Sequence, residues 1–121
     1  MTVKSYRDLD VWNASMDLVV EVYRITNSFP TDERFGLISQ LRRASVSIPS
    51  NLAEGHSRNS TREFLHHISI AMGSLSETET QITLAERLNY ATTAEIAPVL
   101  QMCDQIGRQL RNLQKSLNAR L

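Results

Sequence analysis

An all-α protein, specifically an antiparallel up-down-up-down four-helix bundle, is the fold class the sequence predicts, and three observations predict it. Apolar residues recur at alternating steps of three and four along four separate stretches. Short segments rich in proline, glycine or capping residues divide those stretches, and links of a few residues turn each helix back beside the last. Glycine and proline are scarce, 4 and 3 copies among 121 residues, which favours helices over other structure. A chain of this length makes one domain, 1–121, with helices at about 9–28, 32–55, 61–89 and 93–118.

In the first helix Leu9, Trp12, Met16, Val19 and Tyr23 mark the face expected to meet the core. A second stripe, Val11, Leu18, Val22 and Ile25, leaves only Asp10, Asn13, Asp17, Glu21 and Arg24 for water. That arc is wider than one seam requires, so the second stripe is expected to bury against another subunit or a covering loop, the alternative being extra packing inside one bundle.

Phe29-Pro30-Thr31-Asp32-Glu33 reads as a stop and restart, with Thr31 as cap and two acids at the positive end of the second helix. Ile38, Leu41, Ser45, Ile48 and Leu52 form its seam, and it closes near Gly55, a residue suited to the left-handed conformation. Pro49 lies inside that span. It has no N–H for the Ser45 carbonyl and should bend the helix there, with the Ser45, Ser47 and Ser50 hydroxyls at hand for the freed groups.

Ser60-Thr61-Arg62-Glu63 has the pattern of a capping box and opens the third helix. Its seam is Phe64, Ile68, Ala71, Leu75, Thr78, Ile82 and Ala85, and small Ala71 and Gly73 would admit a close neighbour. Thr92-Thr93-Ala94-Glu95 repeats the box before the fourth helix. There Ile96, Val99, Cys103, Ile106, Leu110, Leu113 and Leu117 hold the same alternation.

The 13 basic and 13 acidic residues cancel, so the molecule as a whole has no field to gather polyanions, and any such contact must be local. The single cysteine, Cys103, falls in an apolar series and reads as a buried thiol in a reducing compartment. No apolar run approaches the roughly 20 residues of a membrane span, and Met1 to Arg7 lacks the apolar core of a signal peptide. A cytoplasmic protein without membrane contact is the expectation.

Glu63 and His66 have the Glu-x-x-His spacing of di-iron carboxylate bundles, in which both side chains face one metal. Such a site needs a second copy, but Ala53 and Phe64 stand three residues before His56 and His67. No phosphate loop, paired-cysteine zinc pattern or nucleophile elbow occurs. No catalytic, cofactor-binding or metal residue is therefore assigned, and a metal-dependent ferritin-like enzyme ranks below the non-enzymatic readings.

Arg108, Arg111 and Lys115 repeat along one face of the fourth helix, with Arg120 beyond. They complement the negative end of the helix dipole, and they are also the candidate nucleic-acid contacts. Glu79 flanks the third seam, where an unpaired carboxylate is costly, so Arg42 or Arg43 is expected to pair with it within or between subunits.

The run from Gln40 to Gly55 (Gln-Leu-Arg-Arg-Ala-Ser-Val-Ser-Ile-Pro-Ser-Asn-Leu-Ala-Glu-Gly), then Arg58, Glu63-Phe64 and Gly73 to Thr80, resembles the 23S ribosomal RNA intervening-sequence protein family. The resemblance begins near Tyr6-Arg7-Asp8-Leu9 with Val11-Trp12 and continues to Ala85-Glu86-Arg87-Leu88-Asn89-Tyr90, most of the chain. It implies a four-helix bundle assembled into a homopentameric ring. Arg42, Arg43, Pro49, Asn51, Glu54, Gly55, Arg58 and Glu79 match the family's pattern and are read as architectural. The family is named for genes inside ribosomal RNA insertions, which is not an activity. A similar bundle, the accessory protein of diversity-generating retroelements, works with a reverse transcriptase and nucleic acid through a basic surface; this chain departs from it in its balanced charge. The expected function is a scaffold or adaptor that assembles with itself, the alternative a nucleic-acid-binding accessory with an RNA or protein partner.

Overall fold

The computed structural model describes residues 4–121. The expectation about the chain's start rests partly on residues 1–3, which lie outside the described residues. Four helices, α1 (Asp10–Thr26), α2 (Leu37–His56), α3 (Thr61–Arg87) and α4 (Thr93–Asn118), account for most of the chain, and two short 3-10 turns precede α1 and α2. The described residues contain no strand. The helices meet as neighbours around a ring: α2 packs most extensively on α3, α1 touches α2 and α4, and α3 touches α4. No helix is long and apolar enough to cross a membrane.

The interior confirms the seams read for α3 and α4: Phe64, Ile68, Ala71, Leu75, Thr78, Ile82 and Ala85 are all buried, as are Ile96, Val99, Cys103, Ile106, Leu110 and Leu117, with Leu113 at the edge. In α2 the seam holds at Leu41, Ser45, Ile48 and Leu52, while Leu37 and Ala44 take the interior and Ile38 sits at its margin.

α1 is reversed from the expectation. Val11, Leu18, Val22 and Ile25, assigned to another subunit, are buried in the protomer's own core, and Met16 and Tyr23 face outward. At 100° per residue the two stripes lie roughly 120° apart, so periodicity admits either as the inner one. Two polar residues disguise the true seam. Ser15 and Thr26 interrupt it, but each hydroxyl donates to a carbonyl one turn back, Ser15 to Val11 at 2.6 Å and Thr26 to Val22 at 2.7 Å, and so enters the core satisfied.

The boundaries shift where side chains from outside the helix do the capping. Thr31 is no cap, and α2 begins at Leu37 rather than Asp32. The segment Thr31–Glu33 forms a 3-10 turn, and the Glu33 carboxylate accepts from the Leu37 N–H at 3.1 Å and from the Tyr90 hydroxyl at 2.8 Å. Those two donors hold the Glu33 carboxyl below its ordinary pKa, the Leu37 N–H first. Glu33 thereby ties the start of α2 to the α3–α4 link. The Thr92–Glu95 capping box is complete, at 3.1 and 2.9 Å, whereas at Ser60 only half is made: its hydroxyl accepts from the Glu63 N–H at 3.2 Å.

Gly55 is not a left-handed terminator. Helix α2 continues through it to His56, and the left-handed residues are Asn59 (φ 54°) and Asn89 (φ 61°), each in the link after a helix. Glycine is required at 55 by proximity, because a Cβ there would stand 2.6 Å from Cβ of His67 and 3.1 Å from Cδ1 of Phe64. Ala71 is fully buried as a small-residue contact, but Gly73 faces outward and a Cβ would meet nothing within 4 Å. The serines around Pro49 bond elsewhere than expected. The Ser45 hydroxyl donates to the Arg42 carbonyl at 2.9 Å and Ser47 pairs with Ser74 at 2.8 Å, so neither serves the Ser45 carbonyl.

Two glycine substitutions should therefore act in opposite directions in urea titrations. Gly55→Ala forces α2 and α3 apart and should cost about 1–3 kcal/mol, as overpacking does. Gly73→Ala should add about 0.5–1 kcal/mol by removing backbone freedom from a helix interior.

Candidate functional site

The residues of the Gln40–Gly55 run work mainly on the neighbouring helices. Arg42 reaches across to the end of α1: its Nε donates to Thr26 Oγ1 at 2.9 Å, Nη2 donates to Asn27 Oδ1 at 3.1 Å and to the Tyr23 carbonyl at 3.4 Å, and the guanidinium lies 4.4 Å from the Tyr23 ring centroid. A cation against the last carbonyls of a helix also opposes its dipole. Asn51 Nδ2 donates to the Ser47 carbonyl at 2.8 Å, and Asn51 Oδ1 meets His67 Nδ1 at 3.0 Å. Glu54 and Arg58 pair at 2.9 Å on the exposed end of α2, and Arg43 points to solvent. Arg42 is thus committed to α1, and the ion pair expected between Arg42 or Arg43 and Glu79 does not form within the protomer.

Glu79 instead lines a cleft of about 310 Å³ between α3 and α4, together with Cys103, Asp104, Gly107, Arg108 and Arg111. Partial burial raises its pKa first, the Asp104 carboxylate adds to the rise, and Arg111 offsets part of it. Cys103 sits beneath. Burial, then Glu79 and Asp104, push its thiol up to about 12, so at neutral pH it is protonated and a poor nucleophile. Gly107 helps form the cleft, since a Cβ there would stand 3.3 Å from Nη1 of Arg111.

The four basic residues assigned to nucleic acid divide between two places. Arg108 and Arg111 share the α3–α4 cleft, whereas Arg120 lies past the end of α4 in a different cavity, and Lys115 is exposed between them. None of the four makes an ion pair among the described residues. Sequence reading missed the cleft because Glu79, Asp104 and Gly107 meet only when α3 and α4 pack; the spacing of Arg108 and Arg111 was the one signal available.

The outer face of α1 carries an apolar stripe beside the exposed Asn13, Asp17 and Arg24. Met16, Val20 and Tyr23 are 42 %, 64 % and 43 % exposed, and Val46 on α2 is 37 % exposed one turn beyond Arg42, which touches Tyr23. Among the described residues no group of three or more His, Cys, Asp or Glu side chains is placed to hold a metal ion. Glu63 and His66 are both exposed, and His67 is bonded to Asn51.

Four helices around one apolar interior, with no strand in the described residues, define an all-α protein of the helical-core class. The model of the 23S rRNA-intervening sequence protein family matches residues 7–112, and the chain belongs to that family. A crystal structure of a protein of unknown function from the S23 ribosomal protein family of Bacteroides thetaiotaomicron VPI-5482 has the same fold. It superposes with a TM-score of 0.78 at 23 % identity over 87 % of this chain and 98 % of its own. No curated protein matches the sequence.

The cleft carboxylate sets a pH test. With its folded pKa above the ordinary value, Glu79 favours folding when protonated, and that contribution is lost as pH rises through the interval up to the raised value. Glu79→Gln should therefore be more stable than the wild type at pH 7, and the two should converge on acidification below the carboxylate range. A variant less stable at pH 7 would show that Arg111 outweighs desolvation.

Proposed function

We propose that this protein is a non-enzymatic cytoplasmic scaffold or adaptor that assembles with copies of itself, with five the number its family resemblance implies. The observation that carries the reading is the outward apolar stripe of α1, Met16, Val20 and Tyr23, continued by Val46. Large apolar side chains aligned along one helix face cost solvation free energy unless another surface covers them. Phe35, 88 % exposed in the link before α2, is a further apolar group available to a neighbour.

The bundle beneath is inferred to be up-down-up-down, and facing residues support it. Along α2 and α3 the partners run in opposite order: Asn51 with His67 at 3.0 Å, Ser47 with Ser74 at 2.8 Å, and Gln40 with Gln81 at 3.5 Å. Leu9 shares a cavity with Leu113 and Leu117, while Ile25 and Ser28 share one with Ala94 and Pro98, so α1 and α4 also run oppositely. A bend in α2 at Pro49 belongs to the same inference, from the missing N–H and the ring's clash with the preceding turn.

A second reading, a nucleic-acid-binding accessory, is favoured by one observation: Arg108 and Arg111 are exposed and have no ion-pair partner among the described residues. Paired with the outer stripe, they would repeat around an assembly and present several phosphate contacts where one protomer presents few.

Light scattering after size exclusion should give a mass about five times that of one chain, and Met16→Glu with Val20→Glu should reduce it to the single chain without loss of helical circular dichroism. A wild type that elutes as one chain, or a double variant with unaltered mass, would overturn the scaffold reading.

RNA binding should weaken steeply with added salt, and Arg108→Ala with Arg111→Ala should lower the slope of log affinity against log salt by about 1 to 2, near 0.7–0.9 per lost phosphate contact. A flat salt response would remove the second reading.

A further inference from the structure

At one end of the molecule the start of α3 and the ends of α2 and α4 surround an open cavity of about 560 Å³, and the chain before α1 closes one side. Its apolar part comes from Leu9, Phe64, Leu113 and Leu117. Its charged and titratable lining is entirely of one kind: Lys4, His56 and Arg120, with no acid among the lining residues. The chain's acids and bases are equal in number, so this basic lining is a local arrangement. The remaining lining is Gly55 with Asn59, Ser60 and Thr61, the last three supplying an amide and two hydroxyls.

The local fold explains the arrangement. Asn59 takes the left-handed conformation that turns the chain sharply from α2 into α3. The N-terminus of a 27-residue helix, with Ser60 as its cap, is thereby exposed at the cavity. His56 stands edge-on to Phe64, ring centroids 5.6 Å apart, and with it forms an aromatic wall. Of the nearby acids, Glu54 pairs with Arg58 at 2.9 Å, and Asp8, which does not line the cavity, accepts from the Lys4 and Ser5 N–H groups at 3.3 and 3.2 Å beside its edge. Glu63 points outward from the first turn of α3 and does not line the cavity.

We propose that this cavity binds a nucleotide, with the phosphate held by Lys4, Arg120 and the first turn of α3 and the base against His56, Phe64 and the leucines. Two cationic side chains and a helix N-terminus suit a doubly charged phosphate monoester better than a single carboxylate. The apolar wall gives a flat base a surface on which to stack, and the Asn59 amide with the Ser60 and Thr61 hydroxyls offers partners for sugar or base edges. The volume exceeds that of one nucleotide, and the cavity opens to solvent, so the same site accommodates a free nucleotide or the phosphorylated end of a strand. The cavity lies within one protomer, so the proposal does not depend on self-association, and Lys4 and Arg120 are distinct from the Arg108 and Arg111 cleft.

Calorimetric titration with adenosine 5′-monophosphate, inorganic phosphate, dodecanoate, and a hexanucleotide with or without a 5′-phosphate tests it. Adenosine monophosphate should bind more tightly than inorganic phosphate. Arg120→Glu and Lys4→Glu, both at exposed positions, should each weaken it by about tenfold or more, the scale of a lost charge-assisted hydrogen bond, and Arg120→Lys should retain most of the affinity. Tighter binding of the 5′-phosphorylated strand than of the free nucleotide identifies a strand end as the source, and the reverse order a free nucleotide. No binding of adenosine monophosphate, equal binding of inorganic phosphate, tighter binding of dodecanoate, or indifference to Arg120→Glu would each overturn the proposal. Those outcomes leave the mass measurement of the scaffold reading untouched.

Discussion

The close approach of α2 to α3 is the constraint on which the rest of the structure depends. Where α2 ends there is no room for even a methyl group between Gly55 and the side chains of His67 and Phe64. From that point the two helices remain in contact along a border that is polar outside and apolar within. Ser47 with Ser74 and Asn51 with His67 line the outer edge, while Leu41, Ile48 and Leu52 face Ile68, Leu75 and Ile82 across the shared core. Once this pair is set, α1 and α4 close the remaining apolar faces, and each fully buried Leu or Ile contributes about 1.5–3 kcal/mol of transfer free energy.

Polar groups then fix relative positions that apolar packing leaves free. Arg42 binds three acceptors around the end of α1, and Glu33 bridges the first turn of α2 to Tyr90. Arg42 joins two successive helices and Glu33 joins residues 57 apart in sequence, so each specifies how one helix end sits against another. This is why a run as distinctive as Gln40–Gly55 identifies a family without disclosing an activity. Arg42, Asn51 and Gly55 are occupied by the protomer's own helices, and the surfaces left for partners lie on the outside of α1, in the α3–α4 cleft and at the end cavity.

Those surfaces differ in chemistry. The α1 face carries an apolar stripe; the α3–α4 cleft mixes Glu79 and Asp104 with two arginines; the end cavity has basic lining over an apolar floor. A chain with zero net charge can therefore still present a locally basic site, because equal totals say nothing about how charges are distributed in space. The thiol of Cys103 takes no part in such chemistry, held protonated by burial beneath two carboxylates.

The amino-acid sequence by itself determined the number of helices, most of the seams of α2, α3 and α4, and the caps at Ser60 and Thr92, because those are local matters of period and side-chain reach. It also placed the chain in its family. Only the tertiary structure decided which stripe of α1 turns inward: hydroxyls bonded one turn back make Ser15 and Thr26 compatible with a core, but it is the packing of α2 and α4 that selects the stripe. The same holds for the role of Gly55, the start of α2 at Leu37, and the company kept by Glu79. Each depends on a residue from another helix or link standing within a few ångströms, and a helical period carries no information about what faces it.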